Sequence, residues 1–186
     1  MKKILFALAA IALAGATQAA SFTWKTYTGQ YVYQAGSSTK LSGATAYLFD
    51  ASVVSQTALL TGLFAEGEDK KSITDFTALS TATTSSSGTI ANTAFEGGTA
   101  GVAMDTYFAI ISGDNVFIST IATATPPDTG AASLTFKSLN TASKAAATEF
   151  SGTVTGAGWY TAVPEPTSGL LMLVGLAGLA LRRRRA

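Results

Sequence analysis

Apolar positions in this chain fall into two kinds of pattern. Near the ends stand two long apolar runs, 4–15 and 169–181. Between them, short aromatic and β-branched stretches are separated by Ser, Thr and Gly, which is the signature of strands joined by turns. Residues 21–35 are rich in aromatic and β-branched residues around Gly29, and predict two short strands or one bent at the glycine. Residues 44–49 predict a strand. Residues 107–111 and 116–121 flank a Ser-Gly-Asp-Asn turn and predict a hairpin. Its first strand is apolar at both parities, so it belongs in the middle, covered on both faces. Residues 132–137 alternate as a strand, 148–155 read as a strand broken at Gly152, and 158–161 as the last strand.

One segment has helical spacing. Val53, Leu60 and Phe64, with Val54, Leu59 and Leu63 alongside, predict a helix over about 53–65. Asp50 or Ser52 can cap its start, Gly62 weakens it, and Gly67 predicts its stop. Residues 138–147 fit a short helix or an irregular loop. The Ser/Thr-rich stretch 77–94 and the glycine-rich 97–101 read as loops. The expected fold is mainly β: a single antiparallel sheet or a β-sandwich, with one covering helix.

The end runs have chemistry around them that core elements lack. Lys2 and Lys3 precede the first run, and Thr17-Gln18-Ala19 follows it with small residues suited to cleavage after Ala19. This order predicts a secretory signal peptide over 1–19. The second run follows Pro164, Glu165 and Pro166 and leads into Arg182, Arg183, Arg184 and Arg185. The prolines lock φ and push their predecessors into extended backbone, as a peptidase substrate requires. Thirteen residues make only about 20 Å of helix, short of a bilayer core of about 30 Å. The arginines can snorkel to extend that span, and they act as a positive-inside stop. A transmembrane helix over 169–181 is therefore expected.

Setting those ends aside changes the charge. The whole chain has 12 basic and 11 acidic residues. The body has six lysines against ten carboxylates, a balance of −4. That excludes a basic stripe for nucleic acid. The chain has no Cys, hence no disulfide or thiolate metal site, and no His. About 140 residues make one ordinary domain, over 20–162.

Candidate chemistry in the body is sparse. Phe22, Trp24, Tyr31, Tyr33 and Trp159 suit a packed sheet face, or more sharply a sugar-stacking platform. Asp105/Asp114 and Asp50/Glu149 can be nominated as carboxylate pairs, but nothing in their spacing selects them. Glu66, Glu68 and Asp69 lack the alternation of a calcium loop and lie beside Lys70 and Lys71. The glycines at 97–101 have no following Lys and no strand–helix frame for a phosphate cradle. No catalytic residue, metal ligand or cofactor is assigned.

The tripartite end over 163–186 resembles the PEP-CTERM sorting signal of Gram-negative bacteria. Pro164, Glu165 and Pro166 match its short motif, 169–181 its helix, and Arg182 to Arg185 its basic cluster. The resemblance implies processing by an exosortase, a membrane enzyme with a Cys nucleophile, after export through the secretion translocon. It implies an inner-membrane-anchored precursor, then delivery to the cell surface or extracellular matrix. The expected function is a non-catalytic structural or adhesive surface protein, with exopolysaccharide as a possible partner. The alternative is a small secreted carbohydrate-binding module or polysaccharide hydrolase.

Overall fold

The computed structural model describes residues 19–163. The predicted signal peptide through residue 18 lies outside the described residues. So do Pro164, Glu165 and Pro166, the helix expected at 169–181, and Arg182, Arg183, Arg184 and Arg185. Among the described residues no helix is long and apolar enough to cross a membrane.

The strands, in chain order, are β1 (Ala19–Thr26), β2 (Thr45–Asp50), β3 (Ser80–Thr83), β4 (Thr93–Thr99), β5 (Met104–Ser112), β6 (Asn115–Ile118), β7 (Ala122–Ala124), β8 (Ala131–Phe136), β9 (Thr148–Glu149) and β10 (Gly158–Thr161). Among the described residues they are joined by two short α-helices, α1 (Gln56–Leu63) and α2 (Leu139–Lys144). The fold is mainly β with two sheets, which corrects the single-sheet alternative. One sheet has the order β4-β1-β8; the other runs β3-β2-β5-β6-β10-β9, with β7 also on β5. Pairing is not wholly antiparallel, since β1/β8 and β9/β10 are parallel.

The sheets sandwich one core, in which Phe22, Trp24, Phe108, Phe117, Phe136 and Trp159 meet. A second core lies on the far face of the larger sheet, where Leu59, Leu60 and Leu63 of α1 cover Phe49, Tyr107, Ala109 and Ile118. This explains why β5 is apolar at both parities: Phe108 and Ile110 enter the first core, Tyr107 and Ala109 the second. Each fully buried aromatic or aliphatic side chain contributes about 1.5–3 kcal/mol. At the sandwich margins β3 lies against β4 and β7 against β8. The hairpin forms as expected, with Ser112 opposite Asn115 and Gly113 at φ +59° in the two-residue turn.

Several boundaries differ from expectation. The helix predicted over 53–65 is only the eight residues 56–63. Its cap is Ser55, whose hydroxyl accepts from Ala58 N–H at 3.1 Å. Asp50 instead closes its own turn, accepting from Ser52 N–H at 2.8 Å. Val53 therefore lies outside the helix and is 69% exposed. Gly62 stays in α1 because the Phe76 ring occupies the space a Cβ would need, 2.7 Å away. The helix ends before Gly67, which opens a 3₁₀ turn.

Residues 31–35 form one β-bridge, Tyr33 to Lys40, rather than a strand. Alternate amides are taken by α2 side chains, Tyr31 N–H donating to Asn140 Oδ1 and Tyr33 N–H to Ser143 Oγ, while Val32 N–H and Gln34 N–H donate to the carbonyls of Gly88 and Thr39. Strands β3 and β4 occupy stretches read as loops. Threonine suits an edge strand, and Phe95 anchors β4 by stacking on Phe22 at 5.2 Å. The return strand expected over 116–121 stops at Ile118, and 148–155 keeps only β9.

Candidate functional site

The two ends of the body leave from opposite poles. Ala19 pairs with Thr99, and Thr99 lines a cavity with Asp50 and Met104. Thr161 pairs with Asn115 beside the hairpin turn. Strand β5 runs from the first pole to the second, so its nine residues separate them by about 27 Å. Val163, the last described residue, is 53% exposed.

The exit is firmly held up to its last paired residue. Strand β10 is antiparallel to β6 on one side and parallel to β9 on the other. Phe150 N–H also donates to Thr161 C=O at 2.9 Å. Three residues later the chain meets Pro164, whose ring removes a backbone donor. An open groove of about 310 Å³ lies beside the exit, lined in part by Phe64, Lys71, Ile111, Asp114 and Ala162.

The nominated tryptophans are core residues. Trp24 is fully buried and Trp159 nearly so. Trp159 Nε1–H donates to the carbonyls of Ser143 (2.8 Å) and Tyr33 (3.1 Å), and Trp24 Nε1–H to Ser80 Oγ. Neither indole offers a face to a sugar.

The nominated carboxylate pairs are not brought together. Asp105 and Asp114 stand near opposite ends of β5, more than about 20 Å apart along the strand. Asp50 and Glu149 are on strands separated by β5, β6 and β10, about 19 Å across the sheet. Glycosidase pairs work at about 5–9.5 Å. The structure instead places Asp50 and Asp105 on one cavity of about 290 Å³, with Ala51 N–H donating to Asp105 C=O. Their separation by 55 residues hid this from the sequence; the signal was the antiparallel pairing of β2 with β5. Each is already occupied locally, Asp50 by Ser52 and Asp105 by the Thr123 hydroxyl at 2.5 Å.

The charged loop at 66–71 is exposed and forms the 3₁₀ turn Gly67–Asp69. Among the described residues no three His, Cys, Asp or Glu side chains group as a metal site. Of the glycine-rich 97–101, residues 97–99 end β4, with Gly98 at φ +67° against Met104, and residues 100–101 turn away from it.

Residues 162–185 match the PEP-CTERM protein-sorting motif. The match starts at the residue after Thr161, where β10 ends. No curated protein and no solved structure matches the chain. The chain thus carries the sorting motif of a secreted, membrane-transiting precursor, and that motif implies an exosortase as its processing partner.

Proposed function

We propose that this protein is a non-catalytic surface module, released from its membrane anchor by exosortase cleavage near Pro164, Glu165 and Pro166. Its destination in this reading is the cell surface or extracellular matrix, where it has a structural or adhesive role. The observation that carries the reading is the junction. The sorting motif begins as the last strand ends, so a cut after Val163 takes nothing from either sheet. Two prolines around Glu165 disfavour helix and sheet pairing, which suits entry into a peptidase cleft. An N-terminal signal peptide removed after Ala19 and passage through the translocon complete the route. The basic residues Arg182, Arg183, Arg184 and Arg185 hold the precursor's tail at the inner face of the membrane.

Intact-mass measurement on protein from the native envelope and medium tests this. A mature chain starting at Ala20 and ending near Pro166, with any adduct, supports it. Accumulation of uncut precursor in a Glu165→Ala variant supports recognition of the motif. A native mass that retains Arg182 to Arg185 would overturn release and leave a plain anchor.

A further inference from the structure

The groove beside the exit has both apolar and charged walls. Phe64 at the end of α1 and Ile111 of β5 supply apolar surface, and Ile111 is 40% exposed although β5 is a central strand. Lys70, Lys71 and Asp114 supply charge. Ala162 lines the groove too, so the chain leaves the body along its wall.

The two lysines are set apart from the other four of the body. Lys25, Lys40, Lys137 and Lys144 lie in segments joined by the β1–β8 pairing and by the bonds of Gln30 Oε1 with α2. Lys70 and Lys71 stand at the exit instead, and both are exposed. Lys71 is partly fixed: its N–H donates to Gly62 C=O at 2.9 Å, and its Nζ lies 5.5 Å from the Phe76 ring centroid. Cation–π attraction at that distance steadies an ammonium and leaves its outer side open to an anion.

The residues that follow in the chain match this surface. Glu165 is the only charged residue between Glu149 and Arg182, and a proline stands on each side of it. It comes three residues after Ala162, or about 10 Å of extended chain. A tether that short keeps its carboxylate within reach of the lysine pair, at an effective concentration on the order of millimolar or higher.

We infer that the groove is a docking site for the chain's own residues 164–166. Glu165 sits between the ammonium groups of Lys70 and Lys71, and the prolines lie against Phe64 and Ile111. Proline gives up little freedom on docking because its φ is already fixed. Asp114 shares the lysines with Glu165, and exposed ion pairs are weak, so docked and free forms exchange. While docked, the motif faces the body and is withheld from a peptidase cleft, and cutting draws on the free fraction. That consequence rests on the release proposed above; the docking itself does not.

The test uses the full-length chain in nonionic detergent, treated with a carbodiimide, which condenses a carboxylate and an amine in contact into an amide. Chymotryptic peptides and their fragment ions locate the links. Glu165 should join Lys70 or Lys71 within one chain, and the yield should fall with added salt. Two variants keep both reacting groups and weaken the apolar contact: Ile111→Thr and Pro164→Ser/Pro166→Ser. Each should lower the yield about threefold or more. Unchanged tryptophan fluorescence would show that they are folded, since Trp24 and Trp159 are buried in the core. Yields equal to the parent in both variants would mean chance collision and overturn the docking. So would equal linkage of Glu165 to Lys25 or Lys40, or links found only between two copies. In the native host, Ile111→Thr should be cut about twofold or more faster than the parent, and equal or slower cutting would overturn the withholding. A parent that is never cut would overturn release alone, while the cross-link still decides the docking.

Discussion

The side-chain amide of Gln56 donates to the main-chain carbonyl of Ser119 at 2.8 Å, tying the first residue of α1 to a break in the larger sheet. At that break Ser119 N–H still donates to Phe108 C=O, while Phe108 N–H turns to Ser119 Oγ at 2.9 Å. A hydroxyl thus stands where the ladder would place a carbonyl. The freed carbonyl is the one Gln56 takes. Beyond it the chain rejoins β5 as β7.

Two substitutions test this bond set. Ser119→Ala should cost about 1–3 kcal/mol, because the buried Phe108 amide loses its acceptor. Gln56→Ala should cost about 1 kcal/mol, since water can reach the Ser119 carbonyl more easily than the Phe108 amide. Urea unfolding followed by fluorescence measures both. Equal stability of parent and Ser119→Ala would contradict the account.

Tyr107 presents a different case. Its hydroxyl is buried with no partner among the described residues, and burial pushes its pKa above the usual tyrosine value. Tyr107→Phe should therefore be neutral or stabilising by up to about 1 kcal/mol. Up to about pH 10 both folded and unfolded chains keep the proton, and the effect on stability is constant. Above that pH the unfolded chain releases a proton the folded chain holds, so stability falls as pH rises. The Phe variant should show a shallower alkaline loss in thermal melts between about pH 9 and 11.

Gly88 is the glycine whose replacement should cost most. It sits at φ +72°, and an added Cβ would meet the Val32 carbonyl oxygen at 2.6 Å. Val32 N–H donates back to Gly88 C=O at 2.8 Å, so the two backbones cannot separate freely. Gly88→Ala should lose more than about 1 kcal/mol. Gly113→Ala, at φ +59° but with open space around it, should lose less. Reversal of that order in chemical denaturation would count against the packing described at Val32.

Trp159→Ala should destabilise by about 3–5 kcal/mol, through the cavity and the unpaired carbonyls of Tyr33 and Ser143. A variant that kept its melting temperature would show that the ring is not a core element.

A stop codon after Val163 should leave the melting temperature of the body unchanged, since the last paired residue is Thr161. Calorimetry of the shortened and processed chains compares them directly. A clear drop would mean that later residues stabilise the sheet.

Local chemistry made much of this protein legible in advance. The sorting motif, the β5–β6 hairpin, the central place of β5 and the core role of the tryptophans all follow from residue type and short-range order. Alternation and turn residues act over a few positions, and so does the proline-arginine grammar of the tail. What escaped were features that depend on distant partners. Strand β4 is polar and glycine-rich, and is a strand because β1 offers it a ladder. Residues 31–35 look like a strand, yet α2 side chains claim the amides of Tyr31 and Tyr33. Val53 fits a helical stripe, but Ser55 starts the helix after it.

The sequence by itself determined the route of export implied by the tail, the mainly β class and the low charge of the body. Those properties reside in composition and in contiguous segments. Only the tertiary structure decided which carboxylates share a cavity, how two sheets and α1 divide the core, and where the lysines gather. Lys40, Lys137 and Lys144 are far apart in the chain, and each is unremarkable alone. Parallel pairing of β1 with β8, and the Gln30–Asn140 bonds beyond it, place them on one surface. That placement comes from hydrogen bonds closed over about a hundred residues, which no local pattern encodes.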